Sequence, residues 1–406
     1  MYNLLSGMRI VEGASFIAAP LCGLTFVQLG ADVIRFDPIG GGPDFKRWPL
    51  AASGTSFYWE GLNKGKRSIA IDLARPEGRE LVVALITAAG EAGGNFITNY
   101  PADGFLAHER LVTRRADLIT VRVTGSSDGR TAVDYTVNCA AGYPYLTGPE
   151  NAQGPVNHVM PSWDVTTGMT AAVSLLAADR ERRRTGEGCE IRLPLSDVAF
   201  AMLGNLGHIA EVQASDRDRP RVGNAIFGTF GRDFATADGK RIMLVAVTRR
   251  QWTALVDSLG LKQDMARLEQ DLGADFAADE GARFTQRAPV FALIEDAVGK
   301  LIMTDLVQRF ANTAVCWGEY QTVLGALRND ARLSAANPLF ASVQHPSGVT
   351  YLTPGFPGTV ISQGRRPPPT APTLGMHTDE VLADVLKLTA AEIGKLHDAG
   401  LVAGTP

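Results

Sequence analysis

The sequence predicts an α/β protein: a parallel, doubly wound sheet in residues 1–213, a smaller α+β domain after it, and a final helical segment reached through an extended linker. Three observations predict this. Strand-like apolar runs alternate with helical patterns over the first 150 residues, the chain changes character at 214–232, and Pro and Gly crowd residues 336–369.

The strand candidates are MRIVEGA, DVIRFD, SIAIDL, GNFITNY and DLITVRVTG. Helical patterns fall between most of them, clearest in AAPLCGLTFVQLG and in PEGRELVVALITAAG, whose Pro76 and Glu77 suit a first turn. Alternation of this kind argues for βαβ units. A strongly patterned helix, VTTGMTAAVSLLAADRERRR, follows the extended segment HVMPSW, and EIRLPLSDVAFAMLGNLGHIAEVQ continues the same layer. Next comes a linker at 214–232, where the charged run SDRDRPR leads into VGNAIFGTFGRDF. Residues 233–335 read as the small domain, opening on a hairpin with Asp238-Gly239 at its turn. A return linker at 336–369 leads to 370–406, where EVLADVLKLTAAEIGKLHDAG reads as one helix.

Composition narrows the function. With 406 residues, 45% hydrophobic and 20% charged, the chain has enough apolar content for two cores. A net charge of −4 and the lack of basic clusters interleaved with aromatics argue against nucleic acid as a partner. The apolar N-terminal stretch is interrupted by Glu12, Pro20 and Gln28 and lacks a cationic leader, so neither a signal peptide nor a membrane partner is expected. Cys22, Cys139, Cys189 and Cys316 are far apart and have no His at metal-ligand spacing. They read as free buried thiols in a cytoplasmic protein without a metal site.

Four local features bear on chemistry. Asp164 stands at the junction of HVMPSW and the long helix, where free N–H groups and the helix dipole favour a carboxylate anion by about 0.3–1 kcal/mol for the dipole alone. It reads as a helix cap, with or without a chemical role. Two cation clusters, Lys46-Arg47 after the glycine triplet Gly40–Gly42 and Lys64-Gly65-Lys66-Arg67, suit phosphate oxygens or simply a solvated turn. The run Gly223, Asn224, Phe227, Gly228 is flexible enough to close over a reacting centre or to serve as a linker. EGASFIAAP after the first strand lacks GxGxxG spacing, which disfavours an ordinary dinucleotide site. His158 is the histidine nearest Asp164, yet spacing assembles no nucleophile–base arrangement.

Taken in order, VEGASFIAAPLCGLTFVQLGADVIRFD, NKGKRSIAIDLARPEGREL, FITNYPADG, PSWDVTTGMTAAVSLLAA, RTGEG and LGMHTDEVLADVLKLTAAEIGKLHDAG resemble the class III CoA-transferase family over nearly the whole chain. The resemblance implies a Rossmann-like large domain made from both chain ends, a small domain inserted between them, and an interlocked homodimer. It makes Asp164 the catalytic nucleophile toward an acyl-CoA thioester, through an acyl-aspartyl anhydride, with no cofactor beyond CoA itself. It places Phe16, Ile17, Ala18, Arg47, Lys66, Arg67, Asn99 and Tyr100 beside CoA, and the 223–231 run over the site. FDPIGGGPDFKRWP, NHVMPSWD, VDYTVN and GNAIFGTFGRDF are closest to members that move CoA between C1 and C4 of one unsaturated diacid. Transfer to a separate free acid is the alternative. Met376 replaces the usual Glu of LGEHT, the glycine run is sparser than in formyl-CoA transferase, and Val133 stands where the related racemases carry His. These departures argue against formate chemistry and epimerisation. The attack requires an ionised Asp164, expected here without a raised pKa.

Overall fold

The computed structural model describes residues 1–405. In chain order the first elements are β1 (Arg9–Gly13), α1 (Ala18–Leu29), β2 (Asp32–Pro38), α2 (Phe57–Asn63), β3 (Arg67–Ile71), α3 (Pro76–Ile86), β4 (Asn95–Thr98), α4 (His108–Leu111) and β5 (Ile119–Thr124). There follow α5 (Asp134–Ala140), α6 (Tyr143–Leu146), α7 (Ser162–Thr185), β6 (Cys189–Pro194), α8 (Leu195–Asn205) and α9 (His208–Ser215). All five strand candidates are strands. They are buried almost throughout because a parallel sheet is covered on both faces.

The chain forms two compact units, one of Met1–Ala141, His158–Ala214 and Ala331–Pro406, the other of Gly142–Asn157 and Ser215–Asp330. Residues 142–157, read from composition as part of the large domain, thus belong to the second unit. Alternation of apolar and helical segments carries no information about which core a short loop-rich insert joins.

In the first unit the sheet order is β12-β3-β2-β1-β4-β5-β6, where β12 (Val402–Ala403) is a short antiparallel edge strand and the others pair in parallel. From β1 the chain winds outward to β2 and β3, then returns to place β4 on the other side of β1. The crevice between the carboxyl ends of β1 and β4 is therefore a topological switch point, where open α/β sheets bind ligands. One face of the sheet is closed by Val82, Val83 and Ile86 of α3 and by Val381, Leu382 and Ile393 from the chain end. On α7, Gly168 lets the helix approach α1 closely: a Cβ there would lie 2.7 Å from the Ala18 carbonyl oxygen.

The second unit contains β7 (Phe230–Ala235) and β8 (Arg241–Ala246), the predicted hairpin, then α10 (Arg249–Ser258), α11 (Lys262–Leu272), α12 (Glu280–Thr285), α13 (Arg287–Gly299), α14 (Met303–Phe310), β9 (Cys316–Glu319) and α15 (Val323–Asn329). Its core gathers Phe230, Phe234, Trp252, Phe291 and Leu306.

The carboxyl-terminal third differs from expectation in two places. The supposed linker carries a hairpin, β10 (Phe340–Gln344) with β11 (Thr350–Pro354), since Pro346-Ser347-Gly348 supplies a turn between two strand-forming runs. The supposed single helix is two, α16 (Thr378–Leu386) and α17 (Ala390–Asp398). Lys387 adopts φ +59°, and Thr389 with Glu392 forms a capping box that starts the second helix. The cysteines differ too: Cys22 is buried, but Cys139, Cys189 and Cys316 are exposed free thiols.

Candidate active site

The loops after β1, β2 and β4 are tied together at the switch point. Asn99, just past β4, accepts from the Ser15 N–H at 3.2 Å and donates to the Ser15 carbonyl at 2.9 Å. Asp44, in the loop after β2, accepts from the Phe16 N–H at 3.1 Å. This bond holds Phe16 at φ +72°, a left-handed conformation rare outside glycine, and leaves its ring partly exposed. Asp44 is itself held by the buried guanidinium of Arg35 at 3.0 Å. Arg47 lies 5.5 Å from the Phe16 ring centre and 5.3 Å from that of Tyr58, so the cation is fixed between two aromatic faces. Arg122, buried in β5, donates to the carbonyls of Tyr100, Pro101 and Leu106 and so braces the loop after β4.

Asp164 faces this group from α7. It does not cap the helix: α7 starts at Ser162, and Asp164 is the third residue of the first turn. The cap comes from outside. Asp134, the first residue of α5 and 2% exposed, accepts from the backbone N–H groups of Trp163 at 2.7 Å and Asp164 at 3.0 Å. Its other oxygen accepts from His158 Nε2 at 2.6 Å. The Trp163 indole N–H reaches Asn138 Oδ1 at 3.1 Å, a second clamp between α7 and α5.

These neighbours decide the charge on Asp164. Burial pushes its carboxyl up to about 6, the charge of Asp134 pushes the same way, and Arg47 opposes both. The expectation of an unshifted carboxylate is thus corrected: the helix N–H groups that were to stabilise Asp164 are taken by Asp134. At pH 7 a group with that pKa is still about nine-tenths ionised. Burial also raises the phenol of Tyr58, which stays protonated at neutral pH.

The remaining predicted residues divide. Ile17 precedes α1 and Ala18 begins it, with Ala18 buried against α7. The Tyr100 ring stacks on Phe36 at 5.9 Å. Lys66, expected beside CoA, is fully buried, 2.8 and 2.9 Å from the two oxygens of Glu12, and donates also to Pro20 O and Asn63 Oδ1. Arg67 is engaged with Asp32, Glu380 and Asp384. Lys66 immediately precedes β3 and Arg67 opens it, at the amino edge of the sheet, opposite the carboxyl-edge switch point. Gly223, Asn224, Phe227 and Gly228 lie in the second unit, where Gly223 and Asn224 line a cavity of about 300 Å³ with Glu150 and Arg232. Phe227 packs on Phe284 at 4.8 Å, so the run is anchored rather than a loose linker. In the first unit, Lys46, Trp59, Leu374 and Thr405 line a cavity of about 540 Å³ that does not include Asp164.

Asp134 and Tyr58 were missed as partners of Asp164. Only the six-residue interval between His158 and Asp164 hinted at the dyad beneath the helix.

The family model for CoA-transferase family III matches residues 5–378. The 2-methylfumaryl-CoA isomerase of Chloroflexus aurantiacus is 50% identical over 405 residues, spanning 100% of this chain and 99% of that protein. A succinate–glutarate CoA-transferase of Agrobacterium fabrum is 29% identical, spanning 94% of this chain and 95% of the relative. Among solved structures, a CAIB/BAIF family protein from Brucella suis superposes with a TM-score of 0.76 at 26% identity, over 95% of this chain and 100% of the other.

Proposed function

The chain belongs to CoA-transferase family III, and from that premise we propose that it is a 2-methylfumaryl-CoA isomerase, moving CoA between the C1 and C4 carboxyls of mesaconate with Asp164 as nucleophile. The observation that carries the catalytic assignment is the half-buried Asp164 carboxylate with its pKa pushed up to about 6 beside Arg47 and Tyr58.

An Asp164 oxygen attacks the C1 thioester carbonyl, the C–S bond breaks, and CoA leaves as thiolate. The product is a mixed mesaconyl-aspartyl anhydride. The thiolate attacks the Asp164 carbonyl of that anhydride, forming an aspartyl-CoA thioester and releasing the C1 carboxylate. Mesaconate then presents its C4 carboxylate to the aspartyl thioester, thiolate leaves again, and its attack on the C4 acyl carbon regenerates the Asp164 carboxylate. Every step exchanges one acyl derivative for another. The chemistry calls for no redox or metal cofactor, because a carboxylate and a thiolate supply both nucleophiles. A raised proton affinity helps, since the more basic carboxylate is the better nucleophile while the site keeps it mostly ionised at neutral pH. Acylation also removes one of two neighbouring negative charges. Retaining the diacid beside the aspartyl thioester gives its second carboxylate an effective molarity of about 10⁵ M or more.

Self-association belongs to the same reading. Met169, Val173 and Leu176 form an exposed apolar stripe at one-turn intervals on α7, Phe200, Leu206, Ile209 and Val212 are exposed as well, and α9 buries none of its residues. Such a face calls for a partner, and a second copy of the chain is the one the family supplies. The free thiols fit a reducing, cytoplasmic setting.

Asp164→Asn tests the nucleophile: the amide leaves the Asp134 cap in place but cannot form an anhydride. Turnover should fall at least about 10³-fold with the fold intact, and wild-type turnover in that variant would overturn the assignment. Incubating the C1 thioester with labelled free mesaconate separates internal from intermolecular transfer. Label should stay out of the C4 thioester, and its incorporation would make the enzyme an intermolecular transferase.

A further inference from the structure

We propose that His158 is a positioning residue for the transfer: it holds Asp134 as a carboxylate against the first turn of α7, and through Asp134 it fixes the backbone of Asp164 and sets the pH at which the nucleophile becomes available. The inference rests on the reading of Asp164 as nucleophile.

A carboxylate as buried as Asp134 needs hydrogen-bond donors at both oxygens. One oxygen has the N–H groups of Trp163 and Asp164, and the other has His158 Nε2 at 2.6 Å. Because a carboxylate can only accept, the His158 tautomer in this contact carries its proton on Nε2. The imidazole is braced by the edge of Tyr135, with ring centres 5.5 Å apart at 71°, and the Tyr135 hydroxyl donates to the Val159 carbonyl at 3.2 Å. Residues 158–164 thus grip the start of α5 from both sides of one side chain.

Several charged or titratable groups face this assembly. Asp134 and Tyr135 come from α5, Arg47 from the loop after β2, Tyr58 from α2, and Asp164 from α7 itself. The charge of Asp134 opposes ionisation of Asp164, and the nucleophile works only as the anion. The donor from His158 stabilises the doubly charged state. Without it, the unscreened charge of Asp134 bears more strongly on Asp164 and pushes that carboxyl further up; without the charge on Asp134, Asp164 loses its proton at lower pH.

The test is the pH dependence of kcat/KM in the full-length enzyme. In His158→Ala the acid limb should move up by about half a unit or more, and His158→Gln, which restores an N–H donor, should bring it most of the way back. Asp134→Asn keeps the capping oxygen and should move the limb down. His158→Ala on the Asp134→Asn background should add no further shift, because His158 acts through Asp134. An acid limb in His158→Ala that coincides with wild type, or that moves equally in both backgrounds, overturns the inference. His158→Phe keeps a ring against Tyr135 without the donor and serves the same purpose if the alanine variant does not fold. Active Asp164→Asn would sink the nucleophile reading, whereas inactive Asp164→Asn with an unmoved limb in the His158 variants would sink only this one.

Discussion

Two cation clusters that read alike in the sequence end in opposite surroundings. Lys46-Arg47 follows β2 and so lies at the carboxyl edge of the sheet, where Arg47 rests between two aromatic faces and bears on Asp164. Lys64-Gly65-Lys66-Arg67 runs into the start of β3 at the amino edge, where Lys66 is sealed against Glu12 and Arg67 joins Asp32 to the acidic side chains of α16. The lesson is directional. In a parallel sheet a charge after a strand is offered to ligand, while the same charge before a strand is available to complete the core.

The largest effect should come from breaking the buried cluster. Lys66→Met leaves Glu12 buried without its main partner, and uncompensated buried charge costs about 3–5 kcal/mol, read as a lower denaturant midpoint with unchanged slope. A loss below about 1 kcal/mol would erase the contrast between the clusters.

Arg47→Ala should do the reverse, leaving stability within about 1 kcal/mol and lowering kcat/KM by about 10²-fold. Its charge opposes the upward shift of Asp164, so removing it raises the carboxyl above about 6 and moves the acid limb of the pH profile upward. An unmoved limb would show that Arg47 does not bear on the nucleophile.

Arg67→Ala should matter least. Its partners Asp32, Glu380 and Asp384 are well exposed, so the change should cost about 1 kcal/mol or less and leave KM for the thioester unaltered. A tenfold rise in KM would return Arg67 to the ligand and blur the distinction.

Much of the large domain was legible because its strands are short apolar runs with turn residues between them, and both properties are local. The hairpin at 340–354 was less so, since its Pro and Gly residues mask two strands in a stretch that reads as linker. Phe16, Arg47, Asn99 and Asp164 were expected as site residues from the resemblance, and the fold sets the first three in loops at the carboxyl edge of the sheet and the fourth in the first turn of α7. The burial of Lys66 against Glu12 was not legible, because a positive charge looks the same in sequence whether it faces water or a buried glutamate.

Sequence by itself determined the βαβ winding, the identity of Asp164 as the residue of interest, and the family, all of which depend on residue order. Tertiary structure alone decided what Asp164 is chemically. Asp134, thirty positions earlier, takes the helix N–H groups that proximity would assign to Asp164, and its charge then pushes Asp164 upward. Hydrogen bonds and Coulomb forces act through distance in space, and no local pattern reports that α5 and α7 meet end to end at one buried carboxylate.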